Sequence, residues 1–562
     1  MIVAFLTQHT RYSIVIPRKP FCAMLKNYLL PVLVILAFAA CKQGGRSGKS
    51  EAINRDTTHY TKQEYIAQSL DSNQVGDFLA RHAEFAPYTD LIKEFYRKRD
   101  FHYAWINEEG ITEQAGGLLN MMRQDEESGI KDSVLNKSRV NALYDSIALM
   151  GDSLNRQDTL ISIAELSLTG QFFVYANKVW GGMTKDAKDL EWFIPRKKIN
   201  VESLLDSIIR YPKRALASDE PVNRQYKLLR DELTKVGELV KKHPQHDSIR
   251  LADKKKTFKS GDSSDVIAAV KKRLTIWGDY KENDTTTKFT PLLDSALRNY
   301  QTRMGQKPDG IIRQQTVDAL NRPTEHYMQQ LLLNMERLRW VPVEVTTDYL
   351  LVNIPEFRLH AYEDGKLAWS CNVVVGTPGA STVIFSKEMQ YVVFSPYWNV
   401  PPGILKKEVL PGIRRSGKAY LARHNMEMTG SGNNISVRQK PGPSNSLGKV
   451  KFLFPNEYNI YLHDTPSKGL FNETKRSFSH GCIRVAEPKH LAQWVLRKDS
   501  SWTEQKIDAA MNAGKEKYVT LKTKLPVYIG YFTAWVDSQG RLNFRDDVYG
   551  HDAKLAKLLF GK

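Results

Sequence analysis

Apolar residues recur at helical spacing through the first half of the chain and alternate with polar ones through much of the second. Leu91 and Phe95, then Leu118, Leu119 and Met122, then Ile163, Leu166, Phe173 and Ala176 mark successive helix faces. Residues 65–250 therefore read as a helical scaffold domain, with Trp105, Trp180 and Trp192 as core. The charged stretch 241–256 reads as a linker or surface segment. Val266, Val270 and Leu274 give one further helix face, and Leu293, Leu297 and Tyr300 another. A turn at Asp309-Gly310 and a short helix closing on Leu320 complete a three-helix module over 257–323. Leu331, Met335 and Leu338 continue into a connecting helix, 324–345.

From Tyr349 the period changes to two. "YLLVNIP", "RLHAYEDGKLAWSCNVVVG" and "MQYVVFSPYW" read as strands, with Asp364-Gly365 as a hairpin turn. Segment 403–446 is rich in glycine, basic and polar residues and reads as a lid-like excursion between strands. Strands resume at "KVKFLFPNEYNIYLHD", so 346–498 reads as a mainly-β domain. A C-terminal helix and β-hairpin follow over 499–562. The fold class is multidomain α+β.

The amino terminus lies outside this plan. After Lys26 comes the apolar run Leu29–Ala40, twelve residues long. That is short of the roughly 20 residues a spanning helix needs, and it fits the core of a secretory signal. Phe38-Ala39-Ala40-Cys41 resembles a bacterial lipobox, which implies lipidation at Cys41 after removal of 1–40. The alternative is a plain signal peptide cleaved nearby. Met24 is a plausible start, and the polar stretch 41–64 reads as a tether.

Export changes what the charge means. The formal net charge is +19; Arg11, Arg18, Lys19 and Lys26 precede Cys41 with no acid among them, so the remainder carries +15. In the cytosol such a surplus would suggest nucleic acid. Outside it the available anions are lipid headgroups and wall carboxylates, a merely solvated basic surface reads at least as well, and no nucleic-acid partner is expected. Beyond Cys22 and Cys41 only Cys371 and Cys482 remain, so the protein is not built on disulfides.

The chemistry concentrates in "YLHD" and "SFSHGCIRV". Asn459, Tyr461 and His463 would share one strand face; if Ser479–Arg484 is extended, His480, Cys482 and Arg484 share one too. A zinc site could draw on two histidines and a cysteine, but H-x-C is not a usual zinc spacing and no fourth ligand is evident, so no metal is assigned. Cys371, in an apolar strand, reads as a small buried residue. For Cys482 a catalytic reading uses every residue of the motif. A histidine takes the thiol proton and lowers the cysteine pKa by ion pairing, while Gly481 frees backbone N–H groups for an oxyanion.

His463, followed after fifteen residues by Ser479-His480-Gly481-Cys482, resembles the signature of the L,D-transpeptidase (YkuD-type) catalytic domain. "SPYWNVP" and "RQKPGPSNSLGKVKFLFPN" are similar to the large subgroup that also carries a helical scaffold domain and a peptidoglycan-binding module. The resemblance implies a sandwich-like L,D-transpeptidase catalytic domain over 346–498, in a cysteine-dependent acyltransferase of the cell envelope that acts on peptidoglycan stem peptides without metal or organic cofactor. Cys482 would attack the third stem residue, expel D-alanine, and pass the thioester to a neighbouring stem as a 3→3 cross-link. His463 fits the base, with His480 orienting the site or sharing proton transfer. Ser479 would hold a histidine, and the Gly481 and Cys482 amides would form the oxyanion hole. Arg484 could grip a substrate carboxylate or make a structural ion pair. Tyr397, Trp398 and Asn399 could line the cleft. Water in place of the acceptor amine would make an L,D-carboxypeptidase. A retained but inactive site would leave a wall-binding lipoprotein, held at the periplasmic face by Cys41.

Overall fold

The computed structural model describes residues 66–561, apart from 109, most of 128–158, 183–186, 197–198, 211–219, 244–246, 283, 344 and 431–434. The signal segment, Cys41 and the tether to residue 64 lie outside the described residues.

Helices Ser72–Arg81, Thr89–Lys98, Glu113–Glu127, Thr159–Tyr175, Val201–Arg210 and Arg224–Lys242 build the amino-terminal part around Phe95, Trp105, Phe172 and Trp180. The stretch Thr159–Trp180 is long and apolar enough to cross a membrane by length and composition, but most of it is buried in this core. Helices Asp265–Ile276, Pro291–Arg303 and Gln314–Asn321 form a compact module whose core includes Val270, Leu274, Leu297 and Tyr300. Ile249 is buried with them and its N–H donates to Asn321 Oδ1 at 2.9 Å. The middle of the stretch read as a linker is thus folded onto the module.

The Thr324–Trp340 helix joins two cores. Leu331, Met335 and Leu338 face the helical core, whereas Leu333 and Trp340 pack into the β domain.

The β domain contains β1 (Tyr349–Asn353), β2 (Arg358–Glu363), β3 (Lys366–Gly376), β4 (Ile384–Phe394), β5 (Trp398–Asn399), β6 (Met426–Thr429) and β7 (Ser436–Gln439). It continues with β8 (Val450–Leu453), β9 (Leu462–His463), β10 (Ser477–Ser479), β11 (Ile483–Val485) and β12 (Lys517–Gly530). The strand order β8-β9-β11-β3-β2-β1-β12-β4 returns to its start, because β4 also pairs β8 with Phe394 opposite Val450. A sheet closed this way has no open edge among these eight strands. β12 sits between β1 and β4, so the sheet does not end at 498, where the pattern of the sequence places the domain boundary. The terminal hairpin is β13 (Ala534–Val536) with β14 (Leu542–Phe544), and it packs back onto the helical core.

The 403–446 excursion is a folded lid. Helical segments Pro402–Ile404, Leu405–Val409 and Leu410–Arg423 lie over a small sheet ordered β5-β7-β6, closing on Val400, Val409 and Val437.

Candidate active site

β9 and β11 run parallel, with Leu462 opposite Ile483 and His463 opposite Arg484. Ile483 N–H donates to Tyr461 O at 3.1 Å, which sets the residue before Ile483 beside Tyr461. On the other side of β9, Lys451 of β8 lies opposite His463. Residues directly opposite point to the same face, so this short register gathers Lys451, Tyr461, His463, Cys482 and Arg484.

Ser479–Arg484 is not one extended run. Gly481 has φ +112°, a conformation L side chains rarely adopt, and the chain turns there between β10 and β11. The face shared by His480 and Cys482 is therefore broken. His480 turns outward with its side chain 66% exposed, and its Nε2 lies 3.9 Å from Glu408 Oε1 of the lid. Ser479 is buried and braces the turn: its hydroxyl donates to Cys482 O at 2.5 Å and accepts from Gly481 N–H at 3.2 Å. It holds the turn, not a histidine. The Gly481 amide thus donates to the Ser479 hydroxyl in this structure. The Cys482 amide has no acceptor among the described residues.

A second layer fixes the turn from a distance. Thr382 Oγ1 donates to Gly481 O at 2.8 Å and accepts from Gly376 N–H at 2.9 Å. The Tyr549 hydroxyl donates to Gly376 O at 2.6 Å. These residues come from the end of β3, the turn after it and the segment before the last helix, and no local pattern announces them.

The thiol of Cys482 donates to Asn459 O at 3.5 Å, and the Tyr461 phenol hydrogen-bonds the sulfur. Asn459 has φ 55°, so it breaks the strand alternation expected of "NIYLHD" and contributes a carbonyl, not its side chain. Burial pushes the Cys482 thiol up, only partly opposed by Tyr461, Lys451 and Arg484. His463 is buried, with Nδ1 2.5 Å from Asp464 O, so Nδ1 carries the proton and Nε2 keeps its lone pair. Burial pulls the imidazole pKa down to about 3, and the charges of Arg484 and Lys451 push the same way. Burial thus favours the neutral form of both groups, whereas the motif by itself leads to the expectation of an ion pair.

Two cations border the thiol. Lys451 Nζ lies 4.0 Å over the Tyr461 ring, and burial lowers its pKa. Arg484 Nε is buried with no hydrogen-bond partner among the described residues. Tyr461 is legible in the sequence as a face-mate of His463; Lys451 carries no local signal, because only the β8–β9 register brings it here. Tyr397, Trp398 and Asn399 sit at the root of the lid. Tyr397 N–H donates to Glu516 Oε1 at 2.8 Å with Arg438 over its ring, and Asn399 pairs with Arg438 across β5 and β7. Trp398 packs against the small lid core. Cys371 is buried and unbridged. Among the described residues no group of three or more His, Cys, Asp or Glu side chains is arranged to hold a metal ion.

The site is a half-buried thiol at a glycine turn of a mainly-β domain, with a buried imidazole on the neighbouring strand. Residues 347–529 match the family described as "L,D-transpeptidase catalytic domain", 90–233 match "Scaffold domain" and 263–320 match "Putative peptidoglycan binding domain". Three separate stretches of the chain are thus similar to an L,D-transpeptidase catalytic domain, a scaffold domain and a peptidoglycan-binding domain. A curated protein of Haemophilus influenzae named "Putative L,D-transpeptidase" is 32% identical over 247 residues, 40% of this chain. The match spans only about half, 49%, of that relative's length. Among solved structures, an L,D-transpeptidase of Xylanimonas cellulosilytica is 14% identical with a TM-score of 0.18, over 49% of this chain and 98% of its own. One from Stackebrandtia nassauensis is 14% identical with a TM-score of 0.21, over 49% and 95% of the two chains. Likeness at such scores carries no argument about function.

Proposed function

We propose that this chain is a peptidoglycan L,D-transpeptidase of the cell envelope, anchored by lipid at Cys41 and acting through a Cys482 thioester. The observation that carries it is the Cys482 turn beside a buried His463 whose Nε2 lone pair is kept free. His463 Nε2 accepts the thiol proton, and the sulfur attacks the carbonyl carbon of the third stem residue. Tyr461 donates to the sulfur in the resting site, and the Cys482 amide donates to the developing oxyanion. The carbon–nitrogen bond to the terminal D-alanine breaks, and the leaving amine takes the proton from His463. A side-chain amine of a second stem then attacks the thioester, giving His463 its proton, which returns to the sulfur as the 3→3 amide forms. Arg484, with its unpartnered buried Nε, grips a stem carboxylate. The peptidoglycan-binding module holds the polymer near the site.

The test is intact-protein mass spectrometry of a chain starting after Cys41, incubated with a disaccharide-tetrapeptide. The expected result is an adduct equal to the substrate less D-alanine, absent in Cys482→Ala and discharged to a dimer by an acceptor stem. No adduct on the wild-type protein would sink the proposal, and discharge to tripeptide alone would make it a carboxypeptidase.

A further inference from the structure

We propose that the outer face of the lid is a docking surface for a carboxylate-bearing peptidoglycan strand. This rests on the transpeptidase reading and adds the surface that recruits its polymer.

The lid helices are two-faced. Val409, Ile404, Leu405, Ile413, Tyr420 and Leu421 turn inward against Val400 and Val437. Lys406, Lys407, Arg414, Arg415, Lys418 and Arg423 of the same segments are exposed. The lid's own acids do not neutralise them. Glu427 is held by Arg438 and Lys440, and Glu408 faces His480. Among the described residues none of these outward cations is paired with an acid. Six exposed like charges within eighteen residues of chain repel each other, and that cost is relieved when an anion arrives.

The anion is better a polymer than a bilayer. A basic amphipathic helix binds a membrane by burying its apolar face in the acyl boundary. Here that face is already covered by the lid sheet. Stem peptides repeat free carboxylates along a strand, which suits cations spread over several helical turns. The surface is also joined to the chemistry, since Glu408 on the same elements lies 3.9 Å from His480, the neighbour of the nucleophile turn. The break at Gly417 (φ 52°, ψ −132°) divides the face into two short segments able to follow a bent strand.

The decisive variant carries Arg414→Gln, Arg415→Gln, Lys418→Gln and Arg423→Gln, with its melting temperature checked against the wild type. Sedimentation with purified sacculi from low to high salt measures docking; the peptidoglycan-binding module contributes equally to both proteins. The ratio of turnover on sacculi to turnover on a soluble disaccharide-tetrapeptide measures its use. We expect about fivefold weaker sacculus binding at low salt, a shallower salt dependence, and a ratio lower by about the same factor. Unchanged binding and ratio would overturn the proposal. So would loss of binding to vesicles of phosphatidylglycerol and phosphatidylethanolamine with sacculus binding intact, which would make the face a membrane contact. Sacculus binding does not require the thiol, so the Cys482→Ala protein serves as well. If the wild type forms no acyl adduct yet the four substitutions still weaken sacculus binding, the docking surface stands and the transpeptidase reading falls.

Discussion

Cys482 and Cys371 are both thiols raised by burial, yet they differ in what burial leaves reachable. Cys371 is 2% exposed in the β-domain core and pushed up to about 12. Cys482 is half-buried and opens at a turn. In a chain starting after Cys41, iodoacetamide should therefore label Cys482 and not Cys371 while the protein is folded, with a rate still climbing above the usual thiol range. Cys371 should label only after unfolding. A labelling plateau below pH 7 would instead reveal a thiolate–imidazolium pair. His463 makes the complementary statement in stability. Its folded pKa of about 3 lies below the unfolded value, so between the two the unfolded chain binds the extra proton. Stability from this group is whole above the unfolded pKa and declines as pH falls towards 3. From pH 7 to pH 4 the wild type should lose ~3 kcal/mol more than His463→Gln in urea titrations. Equal losses would show that His463 is hydrated.

At the scale of elements, the active-site turn depends on a close backbone approach. A Cβ on Gly376 would stand 2.1 Å from Ala380 O and 2.9 Å from Thr382 N, both backbone atoms that cannot swing aside. Gly376→Ala should displace the 380–382 turn, loosen Thr382 from Gly481 O, and cost about 1–3 kcal/mol in denaturant unfolding. Acylation of Cys482 should slow along with it, and an unchanged rate would show that the Thr382 brace is dispensable. The strands of this region are legible in the sequence because one-sided burial imposes a period of two, as in β2 and β8. The lid is legible only as an excursion. Pro411, Gly412 and Gly417 interrupt the sequence of its helix, hiding the spacing of Val409, Ile413, Tyr420 and Leu421. The broken face at Gly481 is equally hidden, since a glycine permits either an extended path or a turn, and Ser479, Cys482 and Thr382 together select the turn.

At the scale of the molecule, the β domain and the helical part share structure. The Thr324–Trp340 helix feeds side chains to both cores, and the Arg337 guanidinium donates to Asp552 Oδ1 of the last helix at 2.5 Å. Thr533 donates to the other carboxylate oxygen at 2.7 Å. Arg337→Met would leave Asp552 buried beside a neutral chain, which costs about 3–5 kcal/mol. Calorimetry should show the β domain and the helical part losing melting temperature together, with Arg337→Met/Asp552→Leu recovering part of the loss. A transition shifted in only one of them would show that the helix does not couple them.

Taken alone, the residue order points to Cys482 and His463 as the candidate reactive pair, and gives the helical and β halves and a basic surplus. It does so because side-chain chemistry and periodicity are local properties. The preference of both groups for the neutral form, the outward turn of His480, the arrival of Lys451 and the folding of the lid come from contacts between distant segments. Desolvation and strand register depend on which surfaces meet, and only the packed chain specifies that.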